Sequence, residues 1–313
     1  MTDTDPEPEH AKRRKLIAAA IGSGDVRPAA AVVRAEFGAR SQRGRLQPGN
    51  DDHYLVLRLA QRLDPIATSL SSVDLPHPFE QSAYGAVVAD GIGHNGTGSV
   101  AARLAIGTLA ALAFRFGHWN MRIDPRTAAD VIEQSEWLYR RTNDAIVQRS
   151  HTDEHLAGMA AALTGIYSVG TDLFVAHVGH SRCYLFRDGT FVQLTRDHTL
   201  RERRAVSPHP IPIGQAIEDA SHILTHAIGA DASDPGVVVE HFRLVDDDSV
   251  LLCTNGLTDV VSEEAIADVL AARRSQTDQC DLLLEMAAAG GAEDNATVVI
   301  ANYHVPNHQA DFS

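Results

Sequence analysis

Between Gly158 and Thr195, four runs rich in apolar and β-branched residues follow one another with almost nothing between them. They are Gly158 to Tyr167, Asp172 to Val178, Ser181 to Arg187 and Phe191 to Thr195, with turn dipeptides at Gly170-Thr171 and Asp188-Gly189. Asp-Gly is a strong hairpin signal, because both central residues of the tightest hairpin turn need positive φ. A parallel strand pair needs a crossover of roughly a dozen residues or more, and the gaps here are far shorter. The spacing therefore predicts an antiparallel meander.

Two long helical patterns precede this block. Gly98 to Arg115 offers Leu104, Leu109, Leu112 and Phe114 for one buried side. Arg126 to Val147 repeats Ala129, Ile132, Trp137 and Ile146 at about helical spacing, with Pro125 at the first position, where a missing N–H costs nothing. Upstream, the stretch from Ala30 reads as a strand ending near Gly38, Asp52 to Leu59 alternates as a strand, and Tyr84 to Ala89 is a short apolar strand. Downstream, Ser249 to Thr254 and Ala296 to Tyr303 read as strands. Helices open at Ser262, with Glu263 and Glu264 in the first turn, and at Asp278. Gln61 to Ser82 reads as a loop and Asp197 to Ser221 as a flap. Strands and helix pairs alternate in blocks, which is the α+β pattern, with helices packed outside a β-rich core. Residues 1–29 read as a mobile tail, 30–304 as a single domain and 305–313 as a C-terminal tail.

The net charge of −14 leaves no surplus of Lys and Arg to neutralise phosphates, which excludes nucleic acid and anionic membrane as bulk partners. Cys183, Cys253 and Cys280 cannot all pair and show no CxxC spacing, which points to a reducing, cytoplasmic compartment. No unbroken apolar run reaches the ~18 residues of a membrane span.

The chemistry lies where strands meet turns. Val87 to Ser99 reads VVADGIGHNGTGS, and Gly91, Gly93 and Gly96 spell the G-x-G-x-x-G of a dinucleotide-binding turn. That reading needs a βαβ unit with an acid ~20 residues past the turn. Here the first acid after Gly96 is Asp124, and a second helix follows instead of a parallel strand. A different pattern accounts for more residues. Asn50-Asp51-Asp52, Asp90-Gly91, Asn255-Gly256 and Asp294-Asn295 all sit at strand ends. Carboxylate and carbonyl oxygens suit hard divalent cations, and a pair of such ions activates a water and polarises a phosphoryl group. Taken singly, each dipeptide is equally consistent with an ordinary turn.

Together these blocks resemble the PP2C (PPM) family of metal-dependent serine/threonine phosphatases. The resemblance runs from about Ser41 to Tyr303 through Gly44 to Asp52 (GRLQPGNDD), Val88 to Gly93 (VADGIG), Gly179 to Arg182 (GHSR), Leu194 to His198 (LTRDH), Thr254 to Leu257 (TNGL) and Asp294 to Thr297 (DNAT). It implies an antiparallel β-sandwich flanked by pairs of helices, the α-β-β-α arrangement, with two Mn²⁺ or Mg²⁺ ions at one end. It also implies roles. Asp90 would bridge the two metals, the Gly91 carbonyl would hold one of them, Asp294 would hold the first and Asp51 the second, and Asn255 would stand where a further carboxylate ligand is usual. The chain departs from the family at three places. Gln47 stands where a phosphate-gripping arginine is usual, leaving Arg45 or Arg43 to reach in. Asn255 replaces a carboxylate. His180 replaces the aspartate that helps hold a third ion, and so argues against one. His94 is either a general acid for the leaving group or a polar turn residue. The resemblance thus implies hydrolysis of phosphoserine and phosphothreonine in proteins by a metal-activated water, with a serine/threonine kinase among the candidate partners. The three departures support an alternative, a degenerate phosphatase that binds phosphoproteins without turnover. Oligomeric state is not legible.

Overall fold

The computed structural model describes residues 29–62, 64, 66–69, 80–205, 222–230, 234–272 and 274–306. Residues 1–28 and 307–313 of the segments read as tails, and all of the flap beyond Ala205 up to Ser221, lie outside the described residues. In chain order the elements are α1 (Ala29–Val32), β1 (Arg34–Gln42), β2 (His53–Arg62), β3 (Glu80–Ile92), α2 (Thr97–Phe116) and α3 (Pro125–Thr152). There follow β4 (Ala160–Val169), β5 (Asp172–Val178), β6 (Arg182–Arg187), β7 (Thr190–Gln193), α4 (Leu200–Ala205) and β8 (Val238–Arg243). The chain closes with β9 (Ser249–Cys253), α5 (Asn255–Thr258), α6 (Glu263–Ala271), α7 (Gln276–Ala289) and β10 (Ala296–His304).

Two antiparallel sheets result, one in the order β1-β10-β9-β6-β7 and the other in the order β2-β3-β4-β5-β8. The expected meander is corrected here. β4 pairs with β5, and β6 with β7, but β6 takes β9 as its other neighbour. The Gly179-His180-Ser181 turn therefore carries the chain from one sheet to the other. Gly179 has φ 108 and a Cβ there would lie 2.4 Å from Ala162 Cβ, so only glycine makes this crossing. Asp188 and Gly189 both have positive φ, as the hairpin signal required. No parallel pairing follows the G-x-G-x-x-G turn: β3 pairs antiparallel with β4, and the dinucleotide reading fails.

Period-2 alternation builds a layered core. Ala86, Val88, Val250, Leu252, Val299, Ala301 and Tyr303 pack between the sheets. Their neighbours turn outward: Val87, Ala89 and Leu163 meet α2 and α3, while Leu251, Cys253, Val298 and Ile300 meet α6 and α7. The β8 strand escaped the sequence reading, its alternation broken by Glu240 and His241.

The helices corrected two expectations. The buried face of α2 is Gly98, Ala101, Ala102, Ala105 and Ile106, while Phe114 is 63% exposed. Small side chains let the helix lie close on the sheet, so the leucines flank the contact rather than form it. In α3 the buried stripe is Ala128, Val131, Tyr139, Asn143 and Ile146; Ala129 and Trp137 face outward. Asp124 caps this helix by accepting from Thr127 N at 2.8 Å, with Pro125 beginning the first turn. By length and mean hydropathy (1.5) α2 is apolar enough to cross a membrane, which the search for an unbroken apolar run missed. In this structure its alanine face is packed on β3 and β4.

Candidate metal centre

The sheet register brings the strand-end turns together. Gln42 pairs with Ala296 and Val298 with Cys253, so β1 ends, β10 begins and β9 ends at one edge of their sheet. His53 pairs with Ala89 and Asp90 with Ala162, so β2 begins, β3 ends and β4 begins at the corresponding edge of the other. Close backbone approaches lock these turns together. A Cβ on Gly44 would lie 2.3 Å from the Asp294 carbonyl oxygen, and one on Gly256 would lie 2.0 Å from that of Asn295.

Alternation also explains why the apolar core becomes polar at this end. Continuing the inward positions of each strand gives Asp52, Asp90, Thr164, His177, Thr254 and Thr297, all buried. Thr254 is the hub. Its hydroxyl donates to Asp52 Oδ2 at 2.7 Å and accepts from Thr297 N at 2.9 Å, which ties the two sheets. Thr164 meets His177 Nδ1 at 2.8 Å, and His177 Nε2 donates to the Arg196 carbonyl at 3.1 Å. Burial depresses the His177 pKa to about 3, so this ring is a neutral structural strut.

The same parity divides the Asp51-Asp52 doublet. Asp52 points between the sheets; Asp51 faces α2. A Cβ on Gly98 would lie 2.5 Å from the Gly91 carbonyl oxygen and 2.7 Å from Asp51 Oδ2. Gly98, at the start of α2, therefore leaves open a cradle in which these two oxygens meet.

The site is electrostatically incomplete. Burial, then repulsion from Asp52, Asp294, Asp259 and Asp51, pushes Asp90 well above the ordinary carboxylate range. Burial pushes Asp52 up to about 7, against hydrogen bonds from Thr254 and Thr297 and with Asp294 and Asp51 adding repulsion. Asn255 donates its amide to Asp259 at 3.1 Å, yet its Oδ1 is buried without a partner. His180 Nδ1 is likewise buried and unpartnered, 3.6 Å from Asp90 Oδ2. Crowded carboxylates beside unsatisfied acceptors are a donor set for a cation. Among the described residues no three His, Cys, Asp or Glu side chains form a metal-holding group on their own. The fit depends on the Asn255 amide and the Gly91 carbonyl, donors outside those four residue types.

The remaining candidates lie differently. Gln47 donates to Asp294 Oδ1 at 2.8 Å and so belongs to the cluster. Arg45 is 64% exposed and paired with Glu293 at 2.9 Å, turned to the surface rather than into the site. His94 is exposed in the turn before α2; its backbone N–H is taken by Thr97 Oγ1. The sequence reading quoted Asp52, Thr254 and Gly98 within its motifs without giving them a role in the site, and did not mention Asp259. Two signals could have exposed the carboxylates: the opposite facing of adjacent strand residues, and the i, i+4 spacing of Asn255, which opens α5, and Asp259, which caps its C-terminal end.

An antiparallel sandwich between helix layers, with carboxylates from both sheets gathered at one end, defines the architectural class. The chain carries a protein phosphatase 2C domain match, the model of that family aligning with residues 81–204. It is 30% identical over 248 residues to the serine/threonine protein phosphatase PstP of Mycobacterium tuberculosis, an alignment covering 79% of this chain and 45% of PstP. The chain thus spans about half the length of that relative. It is 27% identical over 285 residues to the serine/threonine phosphatase stp of Listeria welshimeri, covering 90% of this chain and all of that one. Among solved structures, the Mycobacterium tuberculosis PstP/Ppp phosphatase superposes with a TM-score of 0.63 at 27% identity, covering 87% of this chain and 98% of that one. The catalytic domain of PstP in complex with two manganese ions superposes with a TM-score of 0.64 at 26% identity, covering 87% and 99%.

Proposed function

We propose that this chain is a metal-dependent protein phosphatase that releases phosphate from phosphoserine and phosphothreonine, using two Mn²⁺ or Mg²⁺ ions. The observation that carries the reading is the crowded, self-repelling set at one end of the sandwich, in which half-buried Asp51 and Asp294 meet buried Asp90 and Asn255 Oδ1. Asp90 would be shared between the ions, with Asp51 and the Gly91 carbonyl on one side and Asp294 and Asn255 on the other. When bound, such ions acidify a water and polarise phosphoryl oxygens. The chain's own residues do the rest. Thr254 and Thr297 hold the Asp52 carboxylate in place. Gln47 orients Asp294. The strand ends fix every donor on backbone that cannot rotate away. His94 sits in the exposed turn before α2, open to solvent as a proton donor to a leaving hydroxyl would be.

The reading extends to a phosphorylated protein as partner, with a serine/threonine kinase among the candidates, and to a cytoplasmic setting, supported by three free buried cysteines. We take 30–304 as one catalytic domain. The test is phosphate release from a phosphopeptide with Mn²⁺ or Mg²⁺. Asp90→Asn should lower the rate by at least about 10²-fold, the scale set by losing one electrostatic partner of the transition state. No release with either metal sinks the proposal. The degenerate alternative draws on Gln47 and Arg45, since neither offers a free guanidinium fork to phosphate. It predicts Mn²⁺ binding by calorimetry with phosphopeptide retention and no turnover.

A further inference from the structure

We infer that His180 is itself a metal ligand, so that the centre has a mixed nitrogen–oxygen donor set selecting Mn²⁺ and other transition ions over Mg²⁺. The inference rests on the divalent-metal reading above and goes beyond it, since that reading assigns His180 no role. Three observations carry it.

First, His180 is 8% exposed and its Nδ1 has no hydrogen-bond partner, which a buried imidazole rarely tolerates unless something else uses its lone pair. Second, Nδ1 faces Asp90 Oδ2 at 3.6 Å. Two donors each about 2.1 Å from one ion lie about 3.0–3.4 Å apart at octahedral to tetrahedral angles, so a closure of a few tenths of an ångström suffices. Third, Asn255 Oδ1 is a further unpartnered buried acceptor, on the neighbouring strand-end turn.

Replacing a carboxylate oxygen by imidazole has a chemical consequence. Mg²⁺ prefers oxygen, whereas imidazole suits later first-row metals. Asn255 and His180 together also remove negative charge from the centre, which weakens a purely electrostatic Mg²⁺ site more than a site with a nitrogen bond.

The readout is spectroscopic. Electron spin-echo modulation of the Mn²⁺-loaded full chain should show the ¹⁴N coupling of a directly bound imidazole, and His180→Gln should abolish it. By calorimetry, His180→Asp should reduce the preference for Mn²⁺ over Mg²⁺ by about tenfold or more, the scale on which even indirect partners of a metal alter affinity. His180→Asn serves if Gln prevents folding, and the wild-type spectrum needs no variant. Mn²⁺ binding without ¹⁴N coupling, a coupling that persists in both variants, or no Mn²⁺ binding at millimolar concentration would each overturn the inference. The two readings fail separately. Phosphopeptide hydrolysis with no nitrogen coupling removes only the His180 ligand; nitrogen coupling without hydrolysis leaves the ligand and removes the phosphatase.

Discussion

At the scale of single residues, charge is balanced against burial, and both can be moved by substitution. Asn255→Asp would set a carboxylate beside Asp259, now the acceptor of the Asn255 amide at 3.1 Å. The metal-free protein should melt lower, and the rise in melting temperature on adding Mn²⁺ should grow, since the ion then neutralises one more charge. Thermal scans with chelator and with Mn²⁺ check both changes. Asp52 makes a pH prediction. Its native pKa is about 7 against 3.8 for the ordinary group, so the native state binds a proton that the unfolded chain has released. That contribution is fully present below pH 3.8 and is lost as pH rises towards 7. Buried neutral His177 works in the opposite sense, its contribution being lost as pH falls below 6.5, so the comparison must be differential. Asp52→Asn should gain melting temperature relative to the wild type between pH 5 and pH 7.5 in chelator. A constant difference across that range would refute the assignment.

At the scale of elements, the start of α2 decides the site as much as any ligand does. Gly98→Ala would drive a Cβ into the Gly91 carbonyl oxygen at 2.5 Å and Asp51 Oδ2 at 2.7 Å. It should cost about 1–3 kcal/mol by overpacking and weaken Mn²⁺ binding together with stability, measured by urea unfolding and calorimetry. The alanines that bury α2 show why its pattern misled. The sequence suggests that leucines mark a buried face, but close approach to a sheet selects for smallness, so the sizeable side chains move to the flanks. A cavity of about 170 Å³ remains beneath the helix pair, lined by Leu57, Leu109, Ala113 and Tyr167 among others.

For the whole molecule, the site exists only because two sheets end together. Thr254, at the end of β9, holds Asp52, at the head of β2, across the sandwich. Thr254→Val keeps the shape, removes the donor to Asp52 and leaves Thr297 N–H without its acceptor. It should destabilise the protein by about 2–4 kcal/mol in urea, more than Thr→Val at an exposed strand position.

Much of this was legible beforehand. Alternation and Asp188-Gly189 determined antiparallel strands, Pro125 and Ser262 marked helix starts, and strand-end Asp and Asn residues marked the candidate donors, because these are local properties of backbone and side chain. The tertiary structure alone decided three things. It split the meander between two sheets, since strand partners are chosen by burial and not by adjacency. It divided Asp51 from Asp52, since facing depends on which side of a strand meets the core. And it turned Arg45 to the surface while leaving His180 Nδ1 and Asn255 Oδ1 buried without partners, since a side chain's solvation is set by everything packed around it.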